Sequence, residues 1–349
     1  MFQKGDNSPL QYGATQGFGP FLESLATFLS RQDAYLSNVD PHNLFLTAGA
    51  SQGLDLAATL YADSGDTVLV EEPTYFVIEK IFRELSLNIV GIPTDENGID
   101  TTALQDLLKN GLRPKFLYTI PTFQNPTGSS IDETRRKHLV DLANEYDFQI
   151  FADEVYQLIG FDKDTSIPMM SFDYGDKVIS FGSFSKILAP GLRTGWIHSS
   201  KKVIDKFSDA ALTFSGGGFN HYASALIKEV IDLGHLDSNV SNLKKEYLSR
   251  AVQMDKSLSE YLGGVVSYSF PKGGYYFWLK FPEGFDSDVF LNSAEASGVS
   301  YRPGNAFSES GKFSQYLRLT YTLFEATEIA EGVRPVSYTH LTLPTNREV

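Results

Sequence analysis

Lys186 lies in SFGSFSKILAPGLRTGW, Ser180 to Trp196, with Ser183 and Ser185 before it and Pro190, Gly191, Arg193 and Gly195 after it. A lysine just past an apolar run can reach the edge of a sheet where α/β folds collect ligands. With a lowered pKa its amine attacks a carbonyl carbon and accepts a carbon-bound proton. Arg193 and the two serine hydroxyls offer charge and donors suited to a phosphate. TAGASQGLDL, Thr47 to Leu56, reads as a strand end turning into a helix whose first amides, around Ala50 and Ser51, form an anion site. FADEVY, Phe151 to Tyr156, sets Asp153 at the end of another apolar run. Taken singly, each has a bland explanation as a structural lysine after a strand, an ordinary helix start or a carboxylate at a strand end.

These residues need a sheet to position them. Between Asn43 and His198 the runs LFLT (44–47), TVLV (67–70), KFLYTI (115–120), FQIFADE (148–154), KVISFGS (177–183) and GWIH (195–198) alternate with amphipathic stretches. Short continuous apolar runs of this kind read as buried parallel strands. Ser130 with Glu133 gives a capping-box signal, followed by Leu139, Leu142, Ala143 and Tyr146 at helical spacing. The repeating strand-helix-strand unit predicts an α/β fold with a doubly wound, mostly parallel sheet. After about Asp232 the texture becomes α+β: a long polar helix over His235 to Tyr261, then GGYYFWLKF (273–281), a short helix and YLRLTY (316–321). The expected organisation is an arm and dimer-contact segment over 1–35, a large domain over 36–232 and a small C-terminal domain over 233–334. From Pro335 to Val349 the helical face is lost, and this stretch reads as a non-native tail.

The motif around Lys186 resembles the SxSKxxxPGxRxG signature of class I/II, fold type I, pyridoxal-phosphate-dependent aminotransferases, and other segments match that family in order. The resemblance covers roughly Leu10 to Arg334 and is nearest the kynurenine/2-aminoadipate branch. It implies that Lys186 binds pyridoxal 5'-phosphate as a Schiff base, and that an amino group passes from an L-amino acid to a 2-oxo acid by way of pyridoxamine phosphate. Asp153 would face the pyridine nitrogen, and Asn125 of PTFQNPTG (121–128) and Tyr156 the 3-oxygen. Tyr75 of EEPTYF (71–76) would stack on the ring, while Arg193, Ser183, Ser185, Ala50 and Ser51 would hold the phosphate. Arg318, after RPGNAF (302–307), would fork onto the substrate carboxylate beside Asn125, and Tyr12 would reach a partner's phosphate in a homodimer. Against the family pattern the chain reads as truncated at both ends. Two alternatives share these residues: a carbon-sulfur β-lyase on the same fold, and a non-catalytic effector module of a transcription regulator.

Composition narrows the partners. Of 349 residues, 43 are acidic and 29 are Lys or Arg, a net charge of −14 that argues against nucleic acid or an anionic membrane. Cysteine is absent, which removes disulfides, thiolate metal sites and a cysteine nucleophile. No run approaches the roughly 18 apolar residues of a membrane span, so a cytoplasmic enzyme of small molecules is expected. The six histidines show no paired metal spacing, and SGGGF (215–219) lacks the context of a dinucleotide loop and reads as flexible.

Overall fold

The computed structural model describes residues 7–161, 167–308 and 310–340. Eight strands form the large sheet: β1 (Leu44–Thr47), β2 (Thr67–Glu72), β3 (Asn88–Asp95), β4 (Gly98–Ile99), β5 (Phe116–Thr119), β6 (Gln149–Asp153), β7 (Val178–Ser183) and β8 (Gly195–His198). Their spatial order is β1-β8-β7-β6-β5-β2-β3-β4. β1, β5 and β7 are buried along their whole length, as continuous apolar runs covered by helices on both faces must be. One face packs against helices that include Gly19–Ser30, Ala50–Tyr61 and His221–Asp232, through Phe21, Leu25, Leu54, Ala57 and Ile227. The other carries Thr101–Lys109 and Glu133–Tyr146, through Leu104, Leu108, Leu139 and Val140.

All six expected strands are present, with two differences. β8 runs antiparallel to both β7 and β1, because the short Pro190–Leu192 turn returns the chain directly and leaves no room for a crossover helix. β3 was not anticipated; its mostly half-exposed sequence, NIVGIPTD, lacks the continuous apolar signal. The carboxyl ends of β2, β5, β6 and β7, which pair in parallel, therefore share one edge with the start of β8.

The helix Glu133–Tyr146 forms, but Asp132 caps it by accepting from the Arg135 amide at 2.9 Å. Ser130 instead accepts from the Phe123 amide at 3.0 Å and so closes the 121–131 turn, which corrects the capping-box expectation. Buried Arg136 reinforces that turn, donating to the carbonyls of Ile131 and Pro121 and to the Thr122 hydroxyl. The expected flexible loop at 215–219 is also corrected. Ser215 and Gly216 close the helix Ala211–Gly216, and the Gly218 amide donates to the Ala14 carbonyl at 2.8 Å, so the segment seats the N-terminal arm. A Cβ on Gly217 would stand 2.4 Å from the Gly13 carbonyl oxygen.

The C-terminal part builds a second, three-stranded antiparallel sheet from β9 (Tyr276–Lys280), β10 (Arg302–Pro303) and β11 (Tyr316–Thr320), in the order β10-β11-β9. Its core joins Phe277, Leu279, Leu317 and Tyr321 to Met254 and Leu258 of the long helix His235–Leu262. The last helix spans Ala326–His340, so helical backbone continues through Pro335, where the sequence pattern breaks; residues 341–349 of the expected tail lie outside the described residues. Among the described residues no helix is long and apolar enough to cross a membrane.

Candidate active site

At the carboxyl edge of the large sheet lies a cavity of about 230 Å³. Ala50, Ser51, Tyr75, Asn125, Asp153, Tyr156, Ser183, Ser185, Lys186 and Arg193, drawn from separate segments of the chain, all line it. Asp153 ends β6, is buried, and accepts from the Tyr118 hydroxyl at 2.8 Å through Oδ2. Its Oδ1 has no hydrogen-bond partner among the described residues. Burial pushes the Asp153 carboxyl up to about 6, against the opposing pull of the Tyr118 hydrogen bond, the nearby Val155 amide and the Lys186 charge. Lys186 follows β7, and its Nζ stands 4.9 Å from the ring centre of Tyr275 and 5.8 Å from that of Tyr156. The Tyr275 hydroxyl also donates to the Lys186 carbonyl at 3.3 Å, fixing the backbone from which the amine projects.

Arg193 adopts a left-handed backbone, φ 46°, at the end of the Pro190–Leu192 turn. Asn220 holds that conformation, donating to the carbonyls of Leu192 and Arg193 and to the Thr194 hydroxyl. The guanidinium lies against the turn into helix Ala50–Tyr61: a Cβ on Gly49, φ +94°, would meet Arg193 Nη2 at 2.8 Å. The helix start at Ala50 and Ser51, the guanidinium and the serines beside Lys186 thus all line the cavity.

Asn125 is buried in the turn after β5, and its Oδ1 accepts from Arg318 Nη1 at 2.6 Å. Arg318 projects from β11 with its guanidinium 4.0 Å from the ring centre of Tyr276 and 4.9 Å from that of Phe307; burial is the largest of several causes lowering its pKa. It joins the cavity wall through Asn125. Tyr12 is the one candidate outside this cluster, 89% exposed on the arm.

Three contributors were not singled out in the sequence. Tyr276 lines the cavity and lies 3.3 Å from Tyr156, hydroxyl to hydroxyl. Tyr118 was visible only as the one tyrosine of an apolar run. Glu71, wholly buried at the end of β2, accepts from Thr119 Oγ1 at 2.5 Å, the Ile120 amide at 3.1 Å and Gln124 Nε2 at 3.1 Å. Gln124 Oε1 accepts in turn from the Thr127 amide at 2.9 Å, so Glu71 anchors the turn that carries Asn125.

The sequence profile of the family "Aminotransferase class I and II" matches residues 4–334. The chain belongs to this family. It is 35% identical over 344 residues to aromatic-amino-acid aminotransferase 1 of Thermococcus litoralis, covering 97% of this chain and 82% of that protein. Among solved structures it resembles the kynurenine aminotransferase of Pyrococcus horikoshii, in complex with PMP, with TM-score 0.87 and 33% identity over 95% of this chain and 82% of that one. It also resembles the α-aminoadipate aminotransferase of Thermus thermophilus, complexed with N-(5'-phosphopyridoxyl)-L-leucine, with TM-score 0.84 and 29% identity over 95% and 83% of the two chains. The protein is an aminotransferase of fold type I, and its cofactor is pyridoxal 5'-phosphate. The residues present fit that group: Asp153 Oδ1 is a buried acceptor with an unmet hydrogen bond, and the anion-seeking groups Arg193, Ser183 and Ser185 line the same cavity.

Proposed function

We propose that Lys186 is the centre of this aminotransferase, holding the cofactor covalently at rest and moving the proton at the substrate's Cα once its amine is free. The observation that carries the reading is that the Lys186 side chain and the unpartnered Asp153 oxygen face one cavity. Bound pyridoxal phosphate supplies an aldehyde for the substrate amine and a ring that draws off the electron pair left at Cα.

Asp153 keeps the ring nitrogen protonated. At neutral pH most of it is ionised, and a cationic nitrogen beside it draws its pKa back down from about 6. Tyr156, whose hydroxyl burial holds well above the ordinary range, stays protonated and serves with Asn125 as a donor to the ring's 3-oxygen. Tyr75, in the cavity wall, would pack on the ring face. Arg193, Ser183, Ser185 and the amides of Ala50 and Ser51 neutralise the phosphate. Arg318, oriented by Asn125 Oδ1, presents its remaining donors to the substrate's α-carboxylate.

Tyr12 belongs on this reading to the site of a second copy. Leu10, Tyr12, Leu212, Phe214 and Tyr222 are all exposed on the arm and on the helices that seat it, an apolar surface suited to a homodimer contact. The substrates are an L-amino acid and a 2-oxo acid, and the cytoplasm is the expected location. Neither the β-lyase nor the effector-module alternative is better supported. A panel of amino donors with 2-oxoglutarate tests the reading. Formation of the donor's 2-oxo acid with equimolar glutamate is expected, whereas ammonia and pyruvate without glutamate would indicate the lyase.

A further inference from the structure

Tyr276 lines the cavity from the small-sheet side, and its hydroxyl has one hydrogen-bond partner among the described residues, the Tyr156 hydroxyl at 3.3 Å. The Tyr156 hydroxyl likewise has no second partner there. The two rings meet edge to face, with centres 6.1 Å apart. Tyr276 stands in β9 opposite Thr320, and Arg318 lies two residues away on β11, its guanidinium 4.0 Å from the centre of the Tyr276 ring. The charged groups around Tyr156 are Asp153, Arg318 and Lys186, and the Tyr275 ring packs against it at 5.4 Å between centres.

A phenol carries one proton and also accepts, so two phenols bonded only to each other can point their shared hydrogen bond either way. The cofactor decides between the two directions. If Tyr156 donates to Tyr276, it meets the anionic 3-oxygen with lone pairs alone, which repels; if Tyr276 donates to Tyr156, the Tyr156 proton is free for that oxygen. The Arg318 cation favours the second direction, because a positive charge on the face of a phenol draws electron density from the ring and makes its hydroxyl the stronger donor. Resting on the reading of Tyr156 as a donor to the 3-oxygen, we propose that Tyr276 is a positioning residue that donates its hydroxyl proton to Tyr156 and so commits the Tyr156 proton to the cofactor. Hydrogen bonds in such a chain polarise one another, by roughly 10–30% per bond, which also makes Tyr156 the stronger donor.

Tyr276→Phe deletes the hydroxyl and keeps the ring beneath Arg318. The pH titration of the holoenzyme's near-visible absorbance reads the effect without turnover. Weaker donation leaves the 3-oxygen more basic, so the proton it shares with the Lys186 nitrogen is held more tightly and the midpoint rises. A rise of about half a pH unit, roughly threefold in the ionisation constant, is expected for Tyr276→Phe, and of more than about one unit for Tyr156→Phe. In a Tyr156→Phe background Tyr276→Phe should shift the midpoint no further, whereas a role in packing alone would act alike in both backgrounds. A raised midpoint in Tyr156→Phe, with none in Tyr276→Phe or with the same Tyr276→Phe shift in both backgrounds, would overturn the proposal and leave the Tyr156 assignment standing. No rise in Tyr156→Phe would remove Tyr156 from the 3-oxygen, and the role of Tyr276 with it.

Discussion

The large sheet brings Asp153 and Glu71 to the active site, both buried and both raised by that burial, to about 6 and about 7. The small sheet brings Arg318, a guanidinium that stays charged and is packed on aromatic rings. A carboxylate whose ionisation is tuned by burial can trade protons near neutral pH; a guanidinium cannot. On the proposed reading, proton chemistry belongs to the mostly parallel large sheet, and recognition of the substrate's carboxylate to the smaller antiparallel one. At the cavity wall the two meet in the hydrogen bond from Arg318 to Asn125.

Changes on the large-sheet side should strike kcat, and changes on the small-sheet side KM. Lys186→Ala is expected to lower transamination by roughly 10³-fold or more and to abolish the near-visible absorbance of the covalently held cofactor, with the circular dichroism of the fold retained. Measurable turnover close to wild type would end its assignment. For Asp153→Asn a drop of roughly 10²-fold in kcat is expected, together with loss of the acid limb that wild-type kcat/KM should show below pH 6, where Asp153, its pKa drawn down by the cofactor's cationic nitrogen, takes up its proton. Steady-state pH profiles of both proteins check this. Arg318→Leu should cost about 10²-fold in kcat/KM, carried by KM; a pure kcat effect would erase the proposed division between the sheets. The smallest effect concerns stability alone. Glu71 has a folded pKa of about 7 against its ordinary 4.5, so the stability it contributes is present below about 4.5 and is lost as pH rises through 7. Unfolding free energies from urea titrations taken across that interval should decline less steeply in Glu71→Gln, by up to about 1.4 kcal/mol per pH unit.

The cavity-lining candidates were read chiefly from the family resemblance, and a few also from their place at the ends of apolar runs, where chain direction brings residues to a common edge. Ser183, Lys186 and Asp153 are of this kind. What was not legible depends on pairing or on local competition. The antiparallel β8 follows from the tightness of the Pro190 turn, and half-exposed β3 carries no periodic mark. The helix at 133 had two nearby capping side chains, and Ser130 was already engaged by the Phe123 amide. Tyr276 and Glu71 escaped for the same reason: a tyrosine in an aromatic-rich strand and a glutamate in EEPTYF reveal their roles only when Tyr156 and Gln124 are placed against them. Tyr12 stands apart from its own chain's cavity, so its assignment depends on the dimer.

For anyone redesigning substrate choice, the crowding between Gly49 and Arg193 divides the pocket into fixed and variable ground. A side chain at 49 would demand a backbone angle that L-residues rarely adopt and would displace Arg193, the arginine proposed to hold the phosphate. Mutant libraries that randomise this end will mostly return proteins unable to load their cofactor. Those that vary the face of the small sheet around Arg302, which does not line the cavity, leave the cofactor seat intact.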